Sequence, residues 1–181
     1  MNIAVYLGSS FGKDLLIQKE TETLGKWIGS HGHTLVYGGS DSGLMGILAN
    51  GVLSEKGEII GVMPEFLVQR NRAMDSLKNF IMTKDMAERK KVMLEKADAY
   101  IAMPGGPGTL EEISEAISCV RLGLFAKPCI FYNINGYYDS LFAYFENMIS
   151  VGFATESDFQ YVYNTKSMAD IEYILGGKHE I

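Results

Sequence analysis

Ala99-Tyr100-Ile101-Ala102-Met103-Pro104-Gly105-Gly106-Pro107-Gly108-Thr109-Leu110-Glu111-Glu112 passes from an unbroken apolar run, through a turn of glycine and proline, into a segment with helical spacing. An apolar run without alternation suits a strand buried on both faces, as in a parallel sheet covered by helices. Similar runs occur at 3–7, 34–37, 59–62, 80–82, 129–132 and 161–163, and helix-length segments lie between them at about 13–30, 43–56, 85–96, 109–122 and 138–150. Alternating β and α elements imply an α/β fold, Rossmann-like and doubly wound, with a mainly parallel sheet flanked by helices and right-handed crossovers. The stretch 65–79 carries no clear period. Ligands in such folds bind at the carboxyl ends of the strands, near the point where strand order reverses.

The chain has 181 residues, and at roughly 150 residues per domain this favours one domain, 1–181. Sixteen Lys and Arg against 22 Asp and Glu leave a net charge of −6, which argues against nucleic acid or an anionic membrane as partner. With hydrophobic residues at 47% and charged residues at 21%, the composition is that of a folded domain. Two cysteines, Cys119 and Cys129, form no framework and point to a reducing compartment. The histidines, His31, His33 and His179, have no zinc-like spacing, so no metal site is expected; His31 and His33 fit a helix end and a strand start. The N-terminal apolar run is too short for a signal peptide and no run is long enough to span a membrane, so a cytoplasmic protein is expected.

Glycine is in excess, 20 residues, and seven of them fall in two turns. Gly38-Gly39-Ser40-Asp41-Ser42-Gly43-Leu44-Met45-Gly46 follows the second strand, and Pro104-Gly105-Gly106-Pro107-Gly108-Thr109 follows the fifth; each leads into a helix. Glycine lets backbone N–H groups approach an anion, and the helix N-terminus beyond adds partial positive charge, so each turn is a plausible phosphate cradle. Neither turn has the spacing of a dinucleotide fingerprint or the Gly-Lys-Ser/Thr of a triphosphate loop. The plainer alternative is that tight strand-to-helix turns simply use glycine. The other glycines, such as Gly32 and Gly123, read as ordinary turn residues.

Thr109-Leu110-Glu111-Glu112 matches a capping box, in which Thr109 caps the helix and Glu112 reaches back to the cap. Against that purely structural use, Glu112 would stand in the first helical turn beside a phosphate cradle, where a carboxylate is costly unless it acts. Upstream, Asp85-Met86-Ala87-Glu88-Arg89-Lys90-Lys91-Val92-Met93 places Met86, Arg89, Lys90 and Met93 on one helix face. Arg89 then points inward with the methionines and needs an anionic partner, a carboxylate or a phosphate.

These segments together resemble the LONELY GUY (LOG) family of cytokinin riboside 5′-monophosphate phosphoribohydrolases, some of whose members were once labelled lysine decarboxylases. The resemblance covers most of the chain. It includes Val5-Tyr6-Leu7-Gly8-Ser9-Ser10, Val36-Tyr37-Gly38-Gly39, Gly43-Leu44-Met45-Gly46 and Gly61-Val62-Met63-Pro64. Further along it takes in Arg89-Lys90, the Pro104–Glu112 string, Asn135-Gly136-Tyr137-Tyr138-Asp139 and Gly152-Phe153. The resemblance implies that Arg89 and Glu112 are catalytic. It implies substrate contacts at Lys90, Gly105, Gly106, Pro107, Gly108, Thr109, Glu111 and Ser118, with Gly39, Ser9 and Met86 near the nucleotide. It also implies a homodimer, a purine nucleoside 5′-monophosphate as substrate, and no metal or other cofactor. The chain departs from the family pattern at Ala87, where His is common, at Ser40 in place of a third glycine, at Ser118 in place of Thr, and at Asn71, near the place of a binding glutamate.

The implied reaction is hydrolysis of the N-glycosidic bond, giving free base and ribose 5-phosphate. Positive charge builds on the sugar ring as that bond breaks, and a carboxylate can stabilise it or activate water. A rival reading is a nucleotide-binding sensor or carrier on the same scaffold, without hydrolysis. A lysine decarboxylase would instead need a pyridoxal phosphate Schiff-base lysine, for which the sequence offers only Lys90.

Overall fold

The computed structural model describes residues 1–70, 74 and 77–176. Asn71 and His179 therefore lie outside the described residues. The strands are β1 (Asn2–Tyr6), β2 (Thr34–Tyr37), β3 (Glu58–Pro64), β4 (Asn79–Thr83), β5 (Ala99–Ala102), β6 (Cys129–Tyr132) and β7 (Val162–Thr165). The helices are α1 (Leu15–Ser30), α2 (Gly43–Ser54), α3 (Glu65–Val68), α4 (Met86–Lys96), α5 (Pro107–Arg121), α6 (Asp139–Ser150) and α7 (Met168–Gly176). Among the described residues the strands form one sheet in the order β4-β3-β2-β1-β5-β6-β7, and every pairing is parallel. The expected α/β fold is thus the observed one.

Strand periodicity divides the core in two. Ile3, Val5 and Leu7 point to the face covered by α1, α2 and α7, where Leu24, Ile28, Leu48 and Ile171 pack on them. Ala4 and Tyr6 point to the opposite face, against Met93 of α4, Ile113 and Ile117 of α5, and Tyr138. The central strands β1, β5 and β6 are buried almost throughout, which is why their sequences are continuous in apolarity. The edge strands β4 and β7 are partly exposed.

Some of the glycine excess belongs to helix packing and not to turns. Gly25 of α1 lies against the backbone of Leu48 of α2, where a Cβ would overlap the Leu48 carbonyl oxygen, and a Cβ on Gly51 would stand 3.0 Å from the Glu22 carbonyl oxygen. The two helices pack backbone to backbone because neither presents a side chain at these points.

Two helices went unassigned from sequence. The short α3 falls in the 65–79 stretch, and α7 follows the last strand. The sequence held a signal for α7: Ser167 and Asp170 form a reciprocal box, with Asp170 N donating to Ser167 Oγ at 3.3 Å and Ser167 N donating to Asp170 Oδ2 at 3.0 Å. No helix among the described residues is long and apolar enough to cross a membrane.

The chain runs outward from β1 through β2 and β3 to β4, then crosses back by α4 to place β5 beside β1. Strand order reverses between β1 and β5. At that point Met103 N donates to Tyr6 O at 2.9 Å and Gly8 N donates to Pro104 O at 3.3 Å, so the loops leaving the two strands stay side by side.

Candidate active site

A cavity of about 250 Å³ opens at this reversal point, at the carboxyl ends of β1 and β5. Helix α5 begins there with Pro107 as its first residue and Gly106 as its N-cap. The expected box between Thr109 and Glu112 does not form. Proline is favoured at the first helical position, where its missing N–H costs nothing, so the helix starts two residues before Thr109. Glu112 is carried into the second turn and its carboxylate is released from capping. Gly106 has no side chain with which to cap the helix, and N–H groups in the first turn have no intrahelical acceptor, so those of Gly108 and Thr109 remain available to a ligand.

Opposite stands α4. Asp85 caps it, accepting from Glu88 N at 2.8 Å, and Glu88 Oε2 accepts from Lys84 N at 2.7 Å. Arg89, one turn in, extends under the end of β3, where its Nε donates to the Val62 carbonyl at 3.0 Å. Its Nη1 lies 2.8 Å from Glu112 Oε1, with side chains only 12% and 10% exposed. The inward-facing guanidinium read from helical spacing has thus found a carboxylate.

Burial pushes the Glu112 carboxyl above the usual range, and the positive charge of Arg89 pulls the other way without cancelling it. Tyr6, at the end of β1, lines the same cavity; burial first, and the Glu112 carboxylate second, push its phenol well up. Sequence reasoning gave Tyr6 no role, although its place as the last residue of the central strand β1 was a usable signal. Met45 and Met93 line the cavity with Met86, leaving a wall of polarizable apolar groups beside the ion pair.

The other expected site residues divide between the cavity and its surroundings. Ser9, Met86, Gly106, Pro107, Gly108, Thr109 and Glu111 line it with Arg89 and Glu112. Gly105 lines a neighbouring cavity of about 440 Å³ on the far side of the turn. Lys90, Gly39 and Ser118 are not among the lining residues. Lys90 Nζ instead holds Glu111 Oε1 at 2.7 Å and Glu115 Oε2 at 2.9 Å, tying α4 to α5. The Ser118 hydroxyl donates to the Ser114 carbonyl at 2.9 Å within α5.

The two glycine turns differ at Gly106 and Gly108. In the first, a Cβ on Gly38 would stand 2.6 Å from Arg89 Nη2, and Cβ atoms on Gly43 and Gly46 would strike the backbone of Ser9 and Asp41. These glycines make room for protein. In the second, a Cβ on Gly106 or Gly108 would meet nothing within 4 Å, and neither residue has a positive φ. At these two positions the protein itself has no steric need for glycine, whereas a Cβ on Gly105 would strike the Thr109 side chain and crowd Gly8 N. Backbone left bare at the mouth of a cavity and at a helix N-terminus suits close approach by an anion.

A pyridoxal phosphate enzyme needs a lysine amine in its cavity. No lysine is among the residues that line this one, and Lys90 is engaged by two carboxylates. Among the described residues no cluster of three or more His, Cys, Asp or Glu side chains is arranged to hold a metal ion.

Comparison with known proteins gives a consistent result. A family model described as "Possible lysine decarboxylase" matches residues 45–173. A cytokinin riboside 5′-monophosphate phosphoribohydrolase of Rhodococcoides fascians is 39% identical over 155 residues, covering 85% of this chain and 78% of that protein. A probable enzyme of the same name from Oryza sativa subsp. japonica is 37% identical over 155 residues, covering 86% of this chain and 64% of the rice protein. Among solved structures, the molybdenum cofactor binding protein of Rippkaea orientalis superposes with a TM-score of 0.72 at 22% identity, covering 97% of this chain and 94% of that one. That likeness is one of fold.

Proposed function

The chain belongs to the LOG-type phosphoribohydrolase family, and from that premise we propose that it hydrolyses the N-glycosidic bond of a purine nucleoside 5′-monophosphate to free base and ribose 5-phosphate. The observation that carries the proposal is the Arg89–Glu112 pair, 2.8 Å apart and nearly buried, in a cavity that also receives the open N-terminus of α5.

In this reading the 5′-phosphate sits on the bare backbone of Gly106 and Gly108 and on the first-turn N–H groups, with Ser9 and Thr109 beside it. Anchoring the phosphate uses binding energy remote from the reacting bond to place C1′ at Glu112. As the bond between C1′ and the base nitrogen breaks, its electron pair leaves with the base and cationic character builds on the ribose. The Glu112 carboxylate stabilises that charge in a low-dielectric site and takes a proton from the attacking water, whose oxygen bonds to C1′. Glu112 gives that proton up, through solvent, to the departing base nitrogen, so water is consumed, the carboxylate is regenerated and no charge is left over. Arg89 pulls Glu112 toward its ionised form against its burial and holds its side chain in place, and the wall of Met45, Met86 and Met93 packs the base. Glu111 lies at the rim. Gly105 shapes the turn from behind, Gly39 carries the preceding turn, and Lys90 and Ser118 act from α4 and α5 outside the cavity.

We further propose a cytoplasmic homodimer. Free thiols at Cys119 and Cys129 accord with a reducing compartment, and burial pushes Cys129 up to about 12, so its thiol is inert. Apolar side chains stand exposed around the C-terminal ends of α5 and α6, with Phe153 at 88% and Leu122 at 68%. Such a concentration favours a partner surface. Light scattering coupled to gel filtration tests the dimer.

The assay for the main proposal is chromatography of the products from AMP and from N6-prenylated AMP. Free base should appear, and Glu112→Gln and Arg89→Ala should abolish it. Undiminished turnover in either variant overturns the assignment of the pair, and nucleotide binding without base release identifies a sensor or carrier.

A further inference from the structure

We infer that Tyr137 and Tyr138 are positioning residues for the anion-binding turn, acting through the backbone carbonyls that precede it. The inference rests on the reading that the 106–109 backbone takes the 5′-phosphate, and it adds two residues that touch neither the Arg89–Glu112 pair nor the cavity it lines.

Three successive carbonyls after β5 are each held by a donor. The Tyr138 hydroxyl donates to Met103 O at 2.6 Å, Gly8 N donates to Pro104 O at 3.3 Å, and the Tyr137 hydroxyl donates to Gly105 O. A planar trans peptide carries its C=O and the next residue's N–H on opposite sides, so fixing one fixes the other. The last of the three is the Gly105–Gly106 peptide. With no Cβ on either side, a Gly-Gly peptide turns over more easily than any other. Gly105 O accepts from Tyr137, and this bond keeps the Gly106 N–H on the opposite side of the turn and sets the angle at which the chain enters α5. Tyr137 thereby supplies the rigidity that the bare backbone gives up.

The two tyrosines are themselves rigidly mounted. They follow a 3₁₀ turn at Ile134–Gly136, where Asn135 adopts φ 53° and its side-chain amide donates to Asp14 Oδ2 at 2.7 Å. Asn133 Oδ1 accepts from Tyr138 N at 2.7 Å while Asn133 Nδ2 donates to Asp139 Oδ1 at 2.7 Å. The Tyr137 and Tyr138 rings meet edge to face at 4.9 Å and 89°. The segment's side-chain hydrogen bonds thus lead to the Met103 and Gly105 carbonyls, to the base of its own turn, and to the N-cap of α1.

Tyr137 is 49% exposed, so Tyr137→Phe keeps the ring and removes one hydroxyl with little effect on the fold. Titration calorimetry with ribose 5-phosphate should show binding weakened about two- to tenfold, the range set by the net worth of one hydrogen bond. KM for the nucleoside monophosphate should rise by a similar factor with kcat nearly unchanged, the thermal midpoint should stay put, and amide exchange at Gly106 should speed up. Tyr138→Phe should act in the same direction with a lowered midpoint, because Tyr138 is buried. Equal ribose 5-phosphate affinity in wild type and Tyr137→Phe overturns the inference. Failure of the wild type to bind ribose 5-phosphate instead overturns the phosphate reading on which it stands.

Discussion

Gly38 and Arg89, from different crossovers of the sheet, are fitted to one another: a Cβ on Gly38 would come within 2.6 Å of Arg89 Nη2 and 3.1 Å of Met45 Sδ. The glycine reads in sequence as part of a phosphate cradle. In the structure it is the space into which the Arg89 guanidinium extends.

Gly38→Ala should therefore act on catalysis more than on stability. The atoms in the way are the far ends of flexible side chains, so the fold can absorb the methyl group at a cost of about 1–2 kcal/mol. The guanidinium must move, and its geometry to Glu112 moves with it. We expect kcat to fall about 10- to 100-fold, as for other displacements near 1 Å, with the thermal midpoint lowered by only a few degrees. Steady-state kinetics beside a melting curve separate the two effects.

Glu112→Gln and Arg89→Ala should differ in stability although both remove activity. Removing Arg89 leaves a buried carboxylate without its cation, which costs about 3–5 kcal/mol when Glu112 is ionised. Glu112→Gln leaves Arg89 its bond to the Val62 carbonyl and removes a group whose burial is already unfavourable. Denaturant midpoints at neutral pH should rank wild type near Glu112→Gln and both above Arg89→Ala.

The pH dependence follows from the raised Glu112 carboxyl. The proposed chemistry needs the carboxylate, so the acid limb of kcat/KM should fall above the ordinary glutamate value. In Arg89→Met, which lacks the charge that pulls it down, the Glu112 carboxyl should titrate higher still, read by NMR of the carboxyl carbon and not by activity. For stability the sign is opposite to that of a salt-bridged carboxylate. The native state holds the proton more tightly than the unfolded chain, so the contribution present below the ordinary value is lost as pH rises through the folded pKa. The stability difference between wild type and Glu112→Gln measured across that range should shift in favour of the amide as pH rises.

Gly108→Ala and Gly46→Ala should give opposite outcomes. Alanine at 108, inside α5 with open space at its Cβ, should stabilise the protein by about 0.4–1 kcal/mol while weakening nucleotide binding. Alanine at 46 strikes the Asp41 backbone and should destabilise it. A Gly108→Ala protein that binds ribose 5-phosphate as well as wild type removes the phosphate from this turn.

The fold was legible because its evidence is local and repeated: apolar runs at 3–7, 99–103 and 129–132 alternating with helical spacing leave few topologies open. Arg89 was legible too, since a cation on the face shared by Met86 and Met93 needs a buried anion. What escaped depended on where the chain folds back. The start of α5 was misplaced because Thr109 to Glu112 satisfies a capping box as well as Gly106-Pro107 satisfies a helix start, and only the latter brings Glu112 to Arg89. Gly106 and Gly108 look in sequence like the glycines of the first turn and differ from them in the open space where a Cβ would be. Tyr6 carries no motif and enters the site because β1 is central.

Arg89 draws its immediate surroundings from three separate parts of the chain: the end of β3 through Val62, the turn after β2 through Gly38, and α5 through Glu112. None of these contacts is local in sequence, since Val62 alone is 27 residues away. Both halves of the sheet must dock before the ion pair exists. During refolding, helical content will return before base-releasing activity does, and any partly unfolded form that loses the β1–β5 junction will be inert as an enzyme while keeping most of its secondary structure.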